Sequence, residues 1–237
     1  YGVEYSSNLT DWVLASTPSM DTGTNQGSLD PTGGAGRRYY RVKDEEAGLY
    51  SQNILGFVRQ ALLPGYNLLA NPFEVADSRL DALLPNLTNG LCYTVGGAGL
   101  LTDTFIEGSG WYDENFLPSL TTLPPGQGAI LYVPELTPIL LVGEVPTATY
   151  HYTKSAGAVL AGAVYPGTFL SDYPAAQGDE LFLWNAPGQF YTAFSYLDGV
   201  WDPSVPELTG ETGVWLKTGV PRNWNHAVVA ASNTIPV

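Results

Sequence analysis

The chain has 237 residues, 44% of them apolar and only 14% charged, with 23 acidic against 9 basic side chains and a net charge of −14. That apolar content supports packed cores and argues against global disorder, and the length suits one large or two to three small domains. The acidic balance argues against nucleic acid or an anionic membrane surface as partner, since each phosphate contact needs a Lys or Arg, and no apolar run is long enough to predict membrane insertion.

Along the chain, short apolar bursts bounded by Gly, Pro or Asn recur at Tyr1–Tyr5, Tyr39–Val42, Tyr66–Ala70, Ala129–Val133, Ile139–Val142, Glu180–Trp184, Phe190–Tyr196 and Gly213–Lys217. Such bursts predict strands. The 27 Gly and 18 Pro are spread throughout, as many tight turns require. Arg37-Arg38-Tyr39-Tyr40-Arg41 reads as a strand whose guanidiniums cover rings or pair with acids. One helix is expected, from Val75 to Leu84, with Asp77 as N-cap, Leu80, Leu83 and Leu84 on one face, and Pro85 ending it. Cys92, the one cysteine, lies in an apolar strand pattern and reads as buried and inert; it excludes an intrachain disulfide.

An internal repeat organises the rest. Pro64-Gly65-Tyr66 parallels Ala156-Gly157-Ala158, and Leu91–Val95 parallels Leu181–Asn185. Thr104–Trp111 matches Phe194–Trp201, and Leu123–Leu131 matches Leu208–Leu216, at offsets of 85 to 92 residues. The expected fold class is all-β, with sandwich- or barrel-like modules: a partial sandwich at 1–53, then related β repeats at 54–144 and 145–237. Trp111 and Trp201, at matching places, read as packing plugs rather than sugar platforms.

The stretch Tyr1-Gly2-Val3-Glu4-Tyr5-Ser6-Ser7-Asn8-Leu9-Thr10-Asp11-Trp12, followed at a distance by Arg37-Arg38-Tyr39-Tyr40-Arg41-Val42, resembles the second half of fibronectin-type-III-like or Ig-like modules of secreted bacterial surface proteins. The two later copies resemble a poorly characterised secreted repeat, through Gly65-Tyr66-Asn67-Leu68 with Ala70-Asn71, Gly110-Trp111, and Leu123-Pro124 with Gly126 and Gly128. Both resemblances imply an extracellular β-rich protein, and neither brings a catalytic residue. They also imply that strands normally precede Tyr1–Tyr5, so the first module is expected to present an open, unfinished edge.

Chemical candidates are few. The carboxylate pairs Asp103/Glu107, Asp113/Glu114 and Asp179/Glu180 sit in turn-like contexts, and the two histidines, His151 and His226, lie in no catalytic motif. No enzyme activity is expected, and no cofactor apart from a covalent glycan. Calcium is a weaker option through Asp21–Asn25 and Ser28–Asp30. Asn8-Leu9-Thr10 and Asn86-Leu87-Thr88 are acceptor triplets for glycosylation at Asn8 and Asn86. The expected function is a secreted or cell-surface structural subunit whose copies polymerise head to tail by strand donation. Val228, Val229, Ile235 and Val237 near the C-terminus, or Tyr1, Val3 and Tyr5 near the N-terminus, would supply the strand. The alternative is a secreted carbohydrate-binding or adhesion module with polysaccharide as partner.

Overall fold

A computed structural model describes residues 2–16, 36–44, 46–51, 53–97, 99–146, 150–164, 173–206 and 208–226. The first segment forms β1 (Gly2–Ser6), β2 (Val13–Ser16), β3 (Arg37–Asp44) and the short β4 (Leu49–Tyr50). Seven strands follow: β5 (Leu55–Leu62), β6 (Gly65–Ala70), β7 (Leu91–Gly96), β8 (Gly99–Ile106), β9 (Gly110–Tyr112), β10 (Gly128–Val133) and β11 (Thr137–Glu144). A single helical turn, α1 (Leu80–Leu83), lies between β6 and β7. Seven more complete the described chain: β12 (Tyr150–Lys154), β13 (Gly157–Ala161), β14 (Glu180–Asn185), β15 (Phe190–Leu197), β16 (Val200–Asp202), β17 (Val214–Thr218) and β18 (Arg222–His226). The all-β class read from the sequence holds.

In each seven-strand set the outermost strands pair with each other, and the inner five form a sheet. The inner sheets are β6-β10-β7-β8-β9 and β13-β17-β14-β15-β16, the same order twice. The register repeats as well. Leu131 lies between Asn67 and Cys92, and Leu216 lies between Val159 and Leu181. Leu62 pairs with Thr137 in the β5–β11 ribbon, and Lys154 pairs with Arg222 in the β12–β18 ribbon. The Phe105–Trp111 rings meet edge-on at 5.5 Å and 71°, the Tyr196–Trp201 rings at 5.3 Å and 70°.

This register corrects part of the sequence alignment. Cys92, not Leu91, is the counterpart of Leu181, and Asp103, not Thr104, is the counterpart of Phe194. A one-residue slip moves every side chain to the opposite face of a strand. The Asp198-Gly199 turn is one residue shorter than Glu107-Gly108-Ser109, which brings the two tryptophans back into step.

The layers that face the two sheets differ. The β5–β11 ribbon belongs to a six-stranded sheet, β11-β5-β3-β1-β2 with β4 beside β3, so 1–53 and the flanks of the first repeat share one layer. Its Tyr39, Val58, Leu62 and Leu141 pack against Cys92, Phe105, Trp111 and Leu131 of the inner sheet. In the second repeat the β12–β18 ribbon, among the described residues, has no third strand. Trp224 of β18 fills the core beneath it, edge-on to Tyr173 at 5.0 Å.

Local chemistry explains several elements. Trp111 is 1% exposed and its indole N–H donates to the Leu84 carbonyl at 2.9 Å, so it is a plug, as expected; Trp201 packs less completely against its core. Arg38 lies 4.2 Å over the Tyr5 ring, and Arg41 is sandwiched between Trp12 and Tyr50 while pairing with buried Glu4 at 2.7 Å. The helix is shorter than the sequence pattern suggests. Asp77 does not cap it but accepts from the backbone and guanidinium of Arg79, which stops the helix from starting earlier. Leu80, Leu83 and Leu84 are buried, as their spacing requires.

The repeats meet along a reciprocal seam. Ala70 N–H donates to the Glu211 carbonyl at 3.0 Å, and its counterpart Gly162 donates to the Gly126 carbonyl at 3.0 Å. The isolated bridges Leu69↔Thr212 and Gln127↔Ala161 are likewise counterparts. Backbone meets backbone here, and the glycine landmarks exist for that reason. A Cβ at Gly213 would stand 2.6 Å from the Leu69 carbonyl oxygen, and one at Gly128 would stand 2.9 Å from the Ala161 nitrogen.

Gly213→Ala should therefore cost about 1–3 kcal/mol in urea unfolding, whereas Gly97→Ala, with open space at its Cβ position, should be near neutral. Trp111→Ala should cost about 3–5 kcal/mol, clearly more than Trp201→Ala.

Candidate functional site

Four of the six carboxylates considered for catalysis have structural duties, and Glu107 and Glu114 are exposed. Asp103 is buried and accepts the Thr121 hydroxyl at 2.7 Å. Asp113 accepts the N–H groups of Asn115 and Leu117 at 2.8 and 2.9 Å, closing a turn. Asp179 accepts from Tyr173, Ala176 and Arg222, and Glu180 pairs with Lys217. Among the described residues no three His, Cys, Asp or Glu gather as a metal site, and no helix is long and apolar enough to cross a membrane. The calcium-loop candidates Asp21–Asn25 and Ser28–Asp30 lie outside the described residues. Cys92 is fully buried, and desolvation pushes its thiol pKa well up, so the sulfur stays protonated.

The glycosylation candidates differ in setting. Asn8 is exposed, but its side chain organises the β1–β2 turn: its carbonyl oxygen accepts from Thr10 and Asp11, and its amide donates to Asp11 at 2.8 Å. Asn86 is exposed in the turn after α1, beside fully buried Leu87.

Of the strand-donor candidates, Tyr1, Val228, Val229, Ile235 and Val237 lie outside the described residues. Val3 and Tyr5 do not lie at an open edge. The Asn8 turn folds the chain back, so β1 is paired on one side with β2 and on the other with β3. Among the described residues the edge passes to β2, where Val13 and Leu14 are exposed. Among the described residues the β12–β18 ribbon pairs with no further strand.

A surface feature also stands out that reading the aromatics as core had hidden. Strand alternation turns Trp111, Trp201 and Trp224 inward but leaves Tyr66, Tyr93, Trp184 and Tyr191 lining an open cleft between the repeats. The parity of Tyr66 against Asn67, and of Trp184 against Leu181, carried that signal. No family model matches this chain, and no curated protein or solved structure matches it either.

Beside the seam, Lys154 occupies the place of Leu62. It is 6% exposed, with its ammonium 3.4 Å from the Gly126 carbonyl. Desolvation lowers its pKa from 10.5 to about 8. Between those values the unfolded chain holds more protons than the folded one, so stability rises with pH from about 8 toward 10. Above that window the buried phenols of Tyr39 and Tyr173, whose pKa values desolvation raises, act in the opposite sense. Lys154→Leu should remove the rise between pH 8 and 10 and add about 1–3 kcal/mol at pH 7, read from urea unfolding across that range.

Proposed function

We propose that the chain is a structural subunit of an extracellular assembly (a fibre, pilus-like filament or surface layer) whose copies join head to tail by adding strands to free edges. The observation that carries this reading is the unequal cover over two equal sheets. One ribbon is widened by β3, β1 and β2, while its twin is two strands wide among the described residues.

The twin also indicates which backbone groups would pair. Arg59 N–H donates to the Gly36 carbonyl beyond the first ribbon, and the counterpart of Arg59 is His151. Thr153, two residues on, has the same parity, so its N–H points away from β18. The natural occupant is the β2 edge of the next copy, whose Val-Leu-Ala-Ser sequence carries none of the charges that commonly protect an edge. Pairing between unlike edges does not close on itself and propagates as a filament. The extracellular placement is supported by the resemblance of 1–53 to secreted surface modules and by an exposed acceptor at Asn86.

Thr153→Pro removes an outward N–H, and Leu14→Lys places a charge on the partner edge. Sedimentation velocity and negative-stain microscopy should show polymers for the unaltered chain and monomers for each variant, with unchanged far-UV circular dichroism. A monomeric unaltered chain at high concentration, or polymers indifferent to both substitutions, would reject the reading.

A further inference from the structure

We infer that the ring-lined cleft between the two repeats is a binding site for a neutral polysaccharide chain. The cleft has a volume of about 330 Å³, within the range of small-ligand sites, and is lined by Tyr66, Tyr93, Leu100 and Ile130 of the first repeat with Trp184 and Tyr191 of the second. Its rings are fixed from behind. Trp184 donates its indole N–H to the Tyr66 carbonyl at 2.7 Å. Gln189, held at φ 53°, accepts the Tyr66 N–H at 2.9 Å and donates to the Tyr66 carbonyl at 3.0 Å. Trp215 donates to the Tyr191 hydroxyl at 3.1 Å. The Trp184 indole and the Tyr191 hydroxyl are thus satisfied within the protein, Tyr66 is held through its backbone, and the ring faces are left over. Tyr66 and Tyr191 are each 42% exposed.

Ring arrangement and charge select the ligand. Tyr66 and Tyr93 lie 6.2 Å apart and tilted by 49°, and Trp184 and Tyr191 lie 4.5 Å apart and tilted by 56°, so each repeat contributes one pair of rings to the cleft. Ring pairs contributed from two sides of an open cleft suit an extended ligand with apolar C–H faces and a hydroxyl rim, which is the surface of a sugar chain. A small cation would need rings converging on one point. Among the described residues no charged side chain lines the cleft, and a net charge of −14 disfavours acidic glycans. Rings already held in place reduce the ordering cost of binding. The site is independent of the edges used in assembly.

Native affinity electrophoresis of the intact chain, in gels containing mixed-linkage β-glucan, xylan or galactomannan, tests the inference, with polygalacturonate and benzyltrimethylammonium as comparisons. At least one neutral gel should retard the chain, with an affinity reduced at least tenfold in Tyr191→Ala and in Tyr66→Ala. Tyr66→Phe should keep most of it, and near-UV circular dichroism should confirm native packing in each variant. Unchanged mobility in all neutral gels, retardation that survives both alanine substitutions, or displacement by benzyltrimethylammonium would overturn it. Sedimentation without polysaccharide reads the assembly separately, so either idea can fail alone.

Discussion

The molecule depends on a seam where two sheets approach with almost nothing between their backbones. Ala70 and Gly162 each donate a backbone hydrogen bond across it, to the Glu211 and Gly126 carbonyls. Gly128 and Gly213 are the positions where a side chain would block the approach. Backbone hydrogen bonds set distance and direction together, so this contact fixes how the repeats sit relative to each other. Everything that straddles the repeats follows from it, including buried Lys154 and the cleft between Tyr66 and Trp184.

Reciprocity at the seam makes the difference elsewhere more informative. Two inner sheets with one strand order and one register carry, among the described residues, covers of different width. The first repeat adopts the strands of the preceding segment, with Arg41 and Glu4 buried among Trp12 and Tyr50 to hold them. Among the described residues the ribbon of the second repeat is two strands wide, and its positions include a counterpart of one that pairs with β3 in the first. Edge pairing in a neighbouring copy would then repeat an interaction that the chain makes with itself.

Much of the fold was legible along the chain. Alternation in Gly128–Val133 and in Val214–Thr218 is a reliable strand signal, and matched glycines at 65 and 157 marked the starts of equivalent strands. Register was harder to read. Leu91-Cys92 offers two apolar neighbours, and only the partners across the sheet show that Cys92 faces the core. The Val75–Leu84 pattern overstated the helix, because Asp77 had a stronger local partner in Arg79 than any helical N–H. The place of β1 was misjudged for a related reason: the Asn8 turn, a local feature, returns the chain as β2 and closes the edge expected to be open.

By itself the sequence determined the all-β class, the tandem repeat and the inward role of Trp111, because periodicity, turn residues and matched landmarks are local properties of the chain. Only the tertiary structure decided which strands pair with β1, why Gly128 and Gly213 must be glycine, and which rings face outward between the repeats. Those outcomes depend on which distant strand lies beside or beneath a residue, and periodicity along one strand carries no information about its neighbour.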